Sequence, residues 1–458
     1  MLKIEKKPKT ITIAVPQSEY VQNFDTNFYS NWLRKETGYD IRFVTISSGY
    51  EEEYISTMLR ADEGRIDALF LPREKDYVDK SLILSFAKEG LIEDLSEYVT
   101  EGTQSFDVAN EIEGESKGLR VDDKIYFFPS IDTGKKQNNM QILWINLGWL
   151  RKLSLQIPET TEDFKTVLEA FKEMDPNGNG MKDELPLISN NSDDSYKSFY
   201  FLLNAFLYVD PTKDYIVRKN DDGIERGLTY CKDLYEEGLL KDTCNDYSPR
   251  QVRELINSPQ DLVGAFTSKS IEEIVYPNCE DVLARYVQVP PLKGPKGEQN
   301  AIELETEAYI GGFIPANSSH KEEAFEIMDL MLSLEGSLIS SFGEEDVDWR
   351  RAQNGELSGY GSKAKITTLN YLSGKIQNKN FSGIGPMYLP EAYSDAVAWN
   401  GDNAFVEYFD ARAIRIYEQF YRANTSLDDL GKEADTVIRL KEKEANVIQT
   451  YIFGRKKQ

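Results

Sequence analysis

A chain of 458 residues with 53 basic and 78 acidic side chains carries a formal charge of −25, which argues against a DNA or RNA backbone binder, for which a basic face is needed, and disfavours docking on anionic lipid. With 40% apolar and 12% aromatic residues and no apolar run long enough to span a bilayer, the expectation is a soluble globular chain with core material for two lobes or more. Cys231, Cys244 and Cys279 form no C-x-x-C pair, so neither a disulfide framework nor a cysteine zinc site is expected. The basic start MLKIEKKPKT precedes no apolar h-region, as in a cytoplasmic protein or an exported one presented without its export segment.

In chain order, Ile11, Ile13 and Val15 have the spacing of a strand. Phe24, Phe28 and Trp32 stand four apart before Gly38, which predicts a helix from Glu19 to Thr37 with a glycine stop. A strand over Ile41–Ile46, a helix from Glu51 to Glu63 ended by Gly64, and an apolar run Ile66–Leu71 halted by Pro72 follow. Strands separated by helices imply right-handed crossovers and a mainly parallel sheet, hence an α/β lobe. A second lobe starts after Pro129, with Ile142–Ile145 as a buried strand ending at Asn146. Thr160 and Asp163 make a capping box for a helix whose Phe164, Val167, Leu168 and Phe171 share one face. Pro290–Gly297 reads as a surface connection. Ser319 with Glu322 is expected to cap a helix carrying Phe325, Met328 and Leu332, and further helical stripes run from Phe405 to the end.

The sharpest chemical pattern is Asp175-Pro-Asn-Gly-Asn-Gly-Met-Lys-Asp-Glu184. Asp175, Asn177 and Asn179 offer side-chain oxygens at alternate positions, Met181 a main-chain carbonyl, and Asp183 and Glu184 close the set, as in an EF-hand loop around calcium. The glycines permit the tight curl, and the absence of His and Cys favours a hard cation. The loop departs from an EF-hand, whose glutamate comes at position 12 and leads into a helix; here Pro186 follows at once. The alternative is a solvated Asx-rich turn.

Catalytic patterns are weak. His320 is the sole histidine, in Ser-Ser-His-Lys at a helix start, and reads as a solvated residue. Gly114-Glu-Ser-Lys-Gly118 matches G-x-S-x-G but lacks the apolar strand that a nucleophile elbow needs. No phosphate loop or zinc helix occurs, and no carboxylate pair is singled out for glycosidase chemistry.

Lys124-Ile-Tyr-Phe-Phe-Pro129, Leu143-Trp-Ile-Asn146 with Trp149-Leu150, Ile157-Pro158 with Thr161, and the Asp175–Pro186 loop, in that order, resemble the extracellular solute-binding proteins, family 1, of ABC importers. Leu234-Tyr-Glu-Glu-Gly-Leu239, Pro290-Pro-Leu-Lys-Gly-Pro295 and Gly311-Gly-Phe-Ile-Pro-Ala316 add to it. Within the family the chain looks most like lipoproteins of Gram-positive bacteria and calcium-containing alginate-oligosaccharide-binding proteins. The resemblance implies an α/β fold of the type II periplasmic-binding-protein class, a two-lobed clamp whose chain crosses between lobes near Asp132, Thr306 and Leu372. Residues 1–131 and 308–372 would form the N-lobe, and 132–307 and 373–458 the C-lobe. Two contiguous domains split near residue 140 are the alternative.

The implied function is extracellular capture of an oligosaccharide by lobe closure and delivery to ABC permease subunits. The chain would be a monomer with one structural Ca2+, lipid-anchored in the full-length precursor. The other class to weigh is a secreted carbohydrate-active enzyme with a structural calcium. The positions that match the family's ligand loops are Glu19, Tyr20, Arg73, Asp132, Asp194, Tyr196, Ser268 and Tyr309. Trp399, in a polar loop ahead of Asn400-Gly-Asp-Asn403, is the expected stacking platform for a pyranose face, whereas Trp32 and Trp144 are assigned to packing.

Overall fold

The computed structural model describes residues 8–399 except 62–64, 74–77, 79, 113–119, 123, 135–141, 190–196, 208, 211–214, 217–221, 269–270, 272–274, 276–279, 304–307, 371 and 373–374, and beyond them residues 421–423. The chain falls into two compact units, Met1–Gln137 with Thr306–Gly401 and Asn138–Glu305 with Asp402–Gln458. The Gly114–Gly118 motif and the stripes from Phe405 to residue 420 lie outside the described residues.

The first unit opens with β1 (Thr10–Pro16), whose apolar residues are buried. Its first helix, α1 (Phe28–Thr37), begins at Phe28 and not at Glu19. The reason is local: the Asn27 side chain caps it by accepting from the Tyr29 N–H at 2.9 Å, while the chain before it is spent on a distant partner. The Tyr20 carbonyl accepts from the Gln377 N–H, and the Gln22 N–H donates to the Gln377 carbonyl, both at 2.9 Å. Gly38, left-handed at φ 74°, ends α1 with its N–H on the Arg34 carbonyl. β2 (Asp40–Ile46), α2 (Glu51–Leu59), β3 (Ala68–Phe70) and β4 (Phe128–Asp132) follow, with β2 and β3 both parallel to β1.

The second unit is centred on β5 (Ile142–Asn146), buried throughout. The capping box forms as expected at the start of α3 (Thr161–Glu173), with Thr160 and Asp163 bonded reciprocally and Phe164, Val167, Leu168 and Phe171 buried. β6 (Ala265–Ser268) and β7 (Tyr286–Val289) flank β5, antiparallel to it. The Pro290–Gly297 stretch is no free connection: Lys293 is held against the start of α3 by its carbonyl on the Thr161 N–H at 3.1 Å and its own N–H on the Glu159 carbonyl at 2.9 Å. A separate sheet joins Ala301–Glu303 and Tyr215–Ile216 to Tyr421–Ala423, which returns the tail of the chain to this unit.

The chain re-enters the first unit as β8 (Tyr309–Phe313), inserted between β4 and β3 and antiparallel to both. Two glycines permit the insertion. A Cβ on Gly311 would lie 2.8 Å from the Pro129 carbonyl oxygen, and one on Gly312 2.5 Å from that of Leu69. α4 (Lys321–Leu332) is not capped by Ser319, because His320 occupies the N-cap position and makes no side-chain cap bond. α5 (Leu334–Phe342), β9 (Trp349–Arg351), β10 (Ile366–Thr368), β11 (Met387–Leu389) and β12 (Val397–Ala398) complete the unit. Its main sheet runs β11-β4-β8-β3-β1-β2, and β9-β10-β12 form a small second sheet.

The expected crossing near Leu372 is corrected here, since residues up to Gly401 pack with the first unit. β11 is a parallel neighbour of β4, and the segment ahead of it is fixed by Phe381. That fully buried ring stacks among Phe24, Tyr29, Phe43 and Phe70, with centroids 4.9 to 6.5 Å away. Removing a buried phenylalanine ring costs about 3–5 kcal/mol. Phe381→Ala should therefore lower the unfolding free energy of the first unit by about that amount in a denaturant titration; a loss under about 1 kcal/mol would show that residues 376–385 are a dispensable loop.

Candidate functional site

Strand direction gathers most of the expected ligand residues. β1, β2, β3, β4 and β11 run parallel and β8 runs against them, so the carboxyl ends of five strands and the start of β8 share one edge. Open α/β sheets bind ligands at that edge, where the loops leave the carboxyl ends of the strands. Glu19 and Tyr20 follow β1, Arg73 follows β3, Asp132 ends β4 and Tyr309 begins β8. The topology brings these residues to one place from sequence positions nearly 300 apart.

Their surroundings differ. Glu19 is exposed and Tyr20 is 37% exposed. The Asp132 carboxylate accepts from the Gly134 N–H at 2.9 Å, and Tyr309 is half-buried opposite Ser130. Arg73 is anchored by its main-chain N–H on the Gly383 carbonyl at 3.0 Å, and its Nη1 is buried without a hydrogen-bond partner. The strap from Gln377 to Gly385 thus ties the loop after β1 to the loop after β3. Sequence reasoning missed Tyr50, which follows β2 at the same edge and is 66% exposed. Its position after the Ile41–Ile46 run parallels that of Tyr20 after β1. A small apolar cavity lined by Leu95, Ile112, Ile125, Phe127 and Phe128 lies toward the amino end of β4 and contains none of the candidates.

Trp399 belongs to the first unit but not to this sheet. It follows β12, is half-buried, and packs on Phe342 with ring centroids 6.3 Å apart. Ser268 is the last residue of β6 in the second unit, fully buried, with its hydroxyl unpartnered. Asp194 and Tyr196 lie outside the described residues.

The Asp175–Glu184 loop curls on itself. Asp175, at φ 46°, accepts the N–H groups of Gly178, Asn179 and Gly180 at 2.9, 3.1 and 3.0 Å, while Gly178 and Gly180 supply left-handed turns. The Asn177 and Asn179 amide nitrogens both donate to the Asp183 carboxylate, at 3.0 to 3.1 Å. Rotating those amides would aim their oxygens at the same carboxylate, an arrangement that only an intervening cation makes favourable. Glu184 Oε1 is buried without a partner, and burial together with the Asp183 and Asp175 charges raises its pKa above the usual glutamate value. Lys152 reaches the loop but donates to the Pro176 carbonyl at 2.8 Å. No three His, Cys, Asp or Glu side chains among the described residues are close enough to hold a metal ion by themselves, so a cation here would rely on the asparagine and main-chain oxygens. The donor chemistry and the orphaned glutamate oxygen fit calcium.

His320 is not the solvated residue expected. It is half-buried, and its Nδ1 lies 3.1 Å from Asp67 Oδ1, while Ser319 Oγ is 3.3 Å from that same nitrogen. A serine hydrolase relay needs the hydroxyl and the carboxylate on opposite ring nitrogens. Asp67 instead joins β1 to the start of α4, accepting from the Thr12 N–H and the Ser318 hydroxyl, each at 2.9 Å.

A family model of bacterial extracellular solute-binding proteins matches residues 15–337. Over 226 residues, 45% of this chain and 40% of the relative, the sequence is 33% identical to the fructooligosaccharide ABC transporter substrate-binding protein FusA of Streptococcus pneumoniae. Over another 226-residue alignment, 43% of this chain and 42% of the relative, it is 28% identical to lipoprotein LipO of Bacillus subtilis. The chain thus spans less than half the length of the curated relatives it matches. Solved structures align over more of it. FusA in complex with kestose has a TM-score of 0.68 at 22% identity, and a FusA EF-hand mutant in complex with fructo-nystose 0.67 at 21%; each alignment covers 96% of this chain and 92% of the other. An extracellular solute-binding protein from Bifidobacterium longum subsp. infantis has a TM-score of 0.72 at 17% identity, covering 98% and 92%. These likenesses establish the two-lobed α/β fold of solute-binding proteins.

The small sheet ahead of Trp399 is pinned by one ionic cluster with a readable pH signature. The Arg350 guanidinium donates to both oxygens of Glu356 at 2.9 and 2.6 Å, and the Thr367 hydroxyl donates to one of them at 2.7 Å. Foremost the Arg350 bonds, then Thr367, hold the Glu356 carboxyl down at about 2 against an ordinary value of 4.5. A depressed carboxyl contributes stability above its unfolded pKa and loses it as pH falls through the folded one. Glu356→Gln should accordingly melt below the parent at pH 7, with the gap closing as pH falls from 4.5 toward about 2. A gap independent of pH in a thermal-melt series would refute the ionic account.

Proposed function

The chain belongs to the bacterial extracellular solute-binding protein family, and we propose that it captures an oligosaccharide outside the cell and delivers it to the permease subunits of an ABC importer. The observation that most supports this is the shared carboxyl edge of the first unit's sheet, where Glu19, Tyr20, Arg73, Asp132 and Tyr309 stand with the exposed Tyr50. Aromatic faces pack against the C–H face of a sugar ring, and carboxylates, hydroxyls and a guanidinium bond its hydroxyls. Asp194, Tyr196, Ser268 and Trp399 complete the proposed ligand set. FusA is named for fructooligosaccharides and has been solved with kestose, so fructans are the first sugars to try.

Capture works by closure of the two lobes, which a ligand drives by its higher affinity for the closed state. The protein acts as a monomeric binder and not as an enzyme, held outside the cell by a lipid anchor, in line with the lipoprotein relative. In the second unit, Asp175, Asn177, Asn179, Asp183, Glu184 and the Met181 carbonyl hold one structural calcium, whose charge would offset the repulsion among the three carboxylates.

Calorimetry against kestose, maltotriose and an alginate trimer should find micromolar or tighter binding of at least one, with no turnover by chromatography; turnover would install the carbohydrate-active enzyme instead. Trp399→Ala should weaken that binding by about 1–3 kcal/mol, a range taken from aromatic base stacking, with little change in melting temperature. A sharp fall in melting temperature with affinity per folded molecule intact would make Trp399 a core residue. For the metal, calcium at a hundred times its dissociation constant adds about 2.7 kcal/mol of stability. EDTA should therefore lower the melting temperature, calcium restore it, and Asp175→Ala abolish the response; a melting temperature indifferent to EDTA would remove calcium from the account.

A further inference from the structure

Four buried polar atoms without a hydrogen-bond partner fall on three side chains of one small sheet in the second unit: Trp144 Nε1, Ser268 Oγ, and both Oε1 and Nε2 of Gln288. The side chains are 0%, 0% and 3% exposed. Their placement is not scattered. Trp144 of β5 stands directly opposite Gln288 of β7 on one side and Phe266 of β6 on the other, and Ser268 stands opposite Ile142. Residues opposite one another in antiparallel strands point to the same face, as do residues two apart along a strand. Trp144, Phe266, Ser268 and Gln288 therefore share a face, with the tryptophan between the serine and the glutamine. Nearly all buried polar groups in folded proteins are paired, so this concentration of unpaired ones calls for an occupant.

From this we infer that Trp144, Ser268 and Gln288 form a subsite for a neutral, hydroxyl-bearing ring, the part of the oligosaccharide that the second unit recognises. The inference rests on the oligosaccharide reading above and adds to it a location and a charge class. The chemistry selects the occupant. The indole N–H only donates, the amide both donates and accepts, and the serine hydroxyl does both. A sugar hydroxyl, itself donor and acceptor, matches that mixture. A carboxylate would face the Gln288 oxygen, and none of the strand residues Trp144, Phe266, Ser268 and Gln288 on this face offers it a positive charge; a cation would face the indole and amide N–H groups. Phe266 and Trp144 supply the aromatic surface against which C–H groups pack. The site also sits toward the carboxyl ends of its flanking strands, since Ser268 ends β6 and Gln288 is the penultimate residue of β7. Burial this complete strengthens each bond in a low-dielectric setting and requires neighbouring packing to open as a ring enters. Ordered water could fill the same bonds, and it is the rival occupant.

The test uses the whole chain with kestose, maltotriose and the alginate trimer, and the variants Trp144→Phe, Ser268→Ala and Gln288→Met. Ser268→Ala and Gln288→Met remove unpaired polar atoms while nearly keeping bulk, so their melting temperatures should hold or rise; Trp144→Phe shrinks a fully buried side chain, should melt lower, and serves to assign the indole resonance. The subsite predicts that affinity for a neutral sugar falls about tenfold or more in Ser268→Ala and Gln288→Met, the loss of roughly one hydrogen bond. It also predicts that the Trp144 indole N–H resonance, identified by its absence in Trp144→Phe, shifts when that sugar binds the parent. Unchanged affinity with an unshifted resonance overturns the subsite and leaves water as the occupant, whatever happens to the melting temperatures. Binding of the acidic trimer alone overturns the neutral class. If the parent binds no sugar, the oligosaccharide reading itself fails and the subsite with it, an outcome distinct from binding that ignores these three residues.

Discussion

The constraint on which the rest of the structure depends is the insertion of Tyr309–Phe313 into the middle of the first unit's sheet. Without it, Phe128–Asp132 and Ala68–Phe70 would present unpaired backbone groups in a buried sheet, which is costly. The strand that fills the gap arrives only after the chain has built most of the second unit. Neither Gly311 nor Gly312 can carry a side chain there, because carbonyl oxygens of the neighbouring strands lie within 3 Å of where a Cβ would stand. Interleaving of the two units, and the arrival of Tyr309 between Arg73 and Asp132, follow from that single insertion. Folding of the first unit must accordingly close a very long loop, an entropic cost that grows slowly with loop length but delays the non-local pairing.

Local signals in the sequence were reliable where local physics decides the outcome. The β1 alternation, the Gly38 stop and the Thr160–Asp163 capping box are each settled within a few residues, and each is present. What failed was decided at a distance. Helical spacing in residues 19–27 lost to backbone bonds with Gln377, more than 350 positions away. The boundary expected at Leu372 moved because the Phe381 ring and Met387–Leu389 belong to the first unit's core and sheet. His320 reads as solvated from its sequence neighbours because no short-range pattern announces Asp67 beside it.

The candidate site was legible in part for the same reason. The family resemblance pointed to Glu19, Tyr20 and Arg73 in loops that leave strands, and the equivalent loop after Ile41–Ile46 holds Tyr50. Trp144 was assigned to packing from its apolar run, and it is fully buried; that its indole N–H lacks a partner depends on which residues β6 and β7 set opposite it. The acidic loop shows a further kind of ambiguity. A cation-binding loop and an Asx-rich turn are built from the same residues, and here the Asn177 and Asn179 amides donate hydrogen bonds to the Asp183 carboxylate. Glu184 alone is left with a buried oxygen that the loop does not satisfy.

The central claim is that the carboxyl edge of the first unit's sheet meets the ligand. Hydrogen–deuterium exchange of the full chain, with and without the sugar that binds it most tightly, tests this directly. Segments 17–23, 47–51, 71–73 and 376–385 should gain protection on binding, while the loops at the opposite edge, around residues 91–98 and 120–127, should exchange unchanged. Protection confined to that opposite edge would contradict the account.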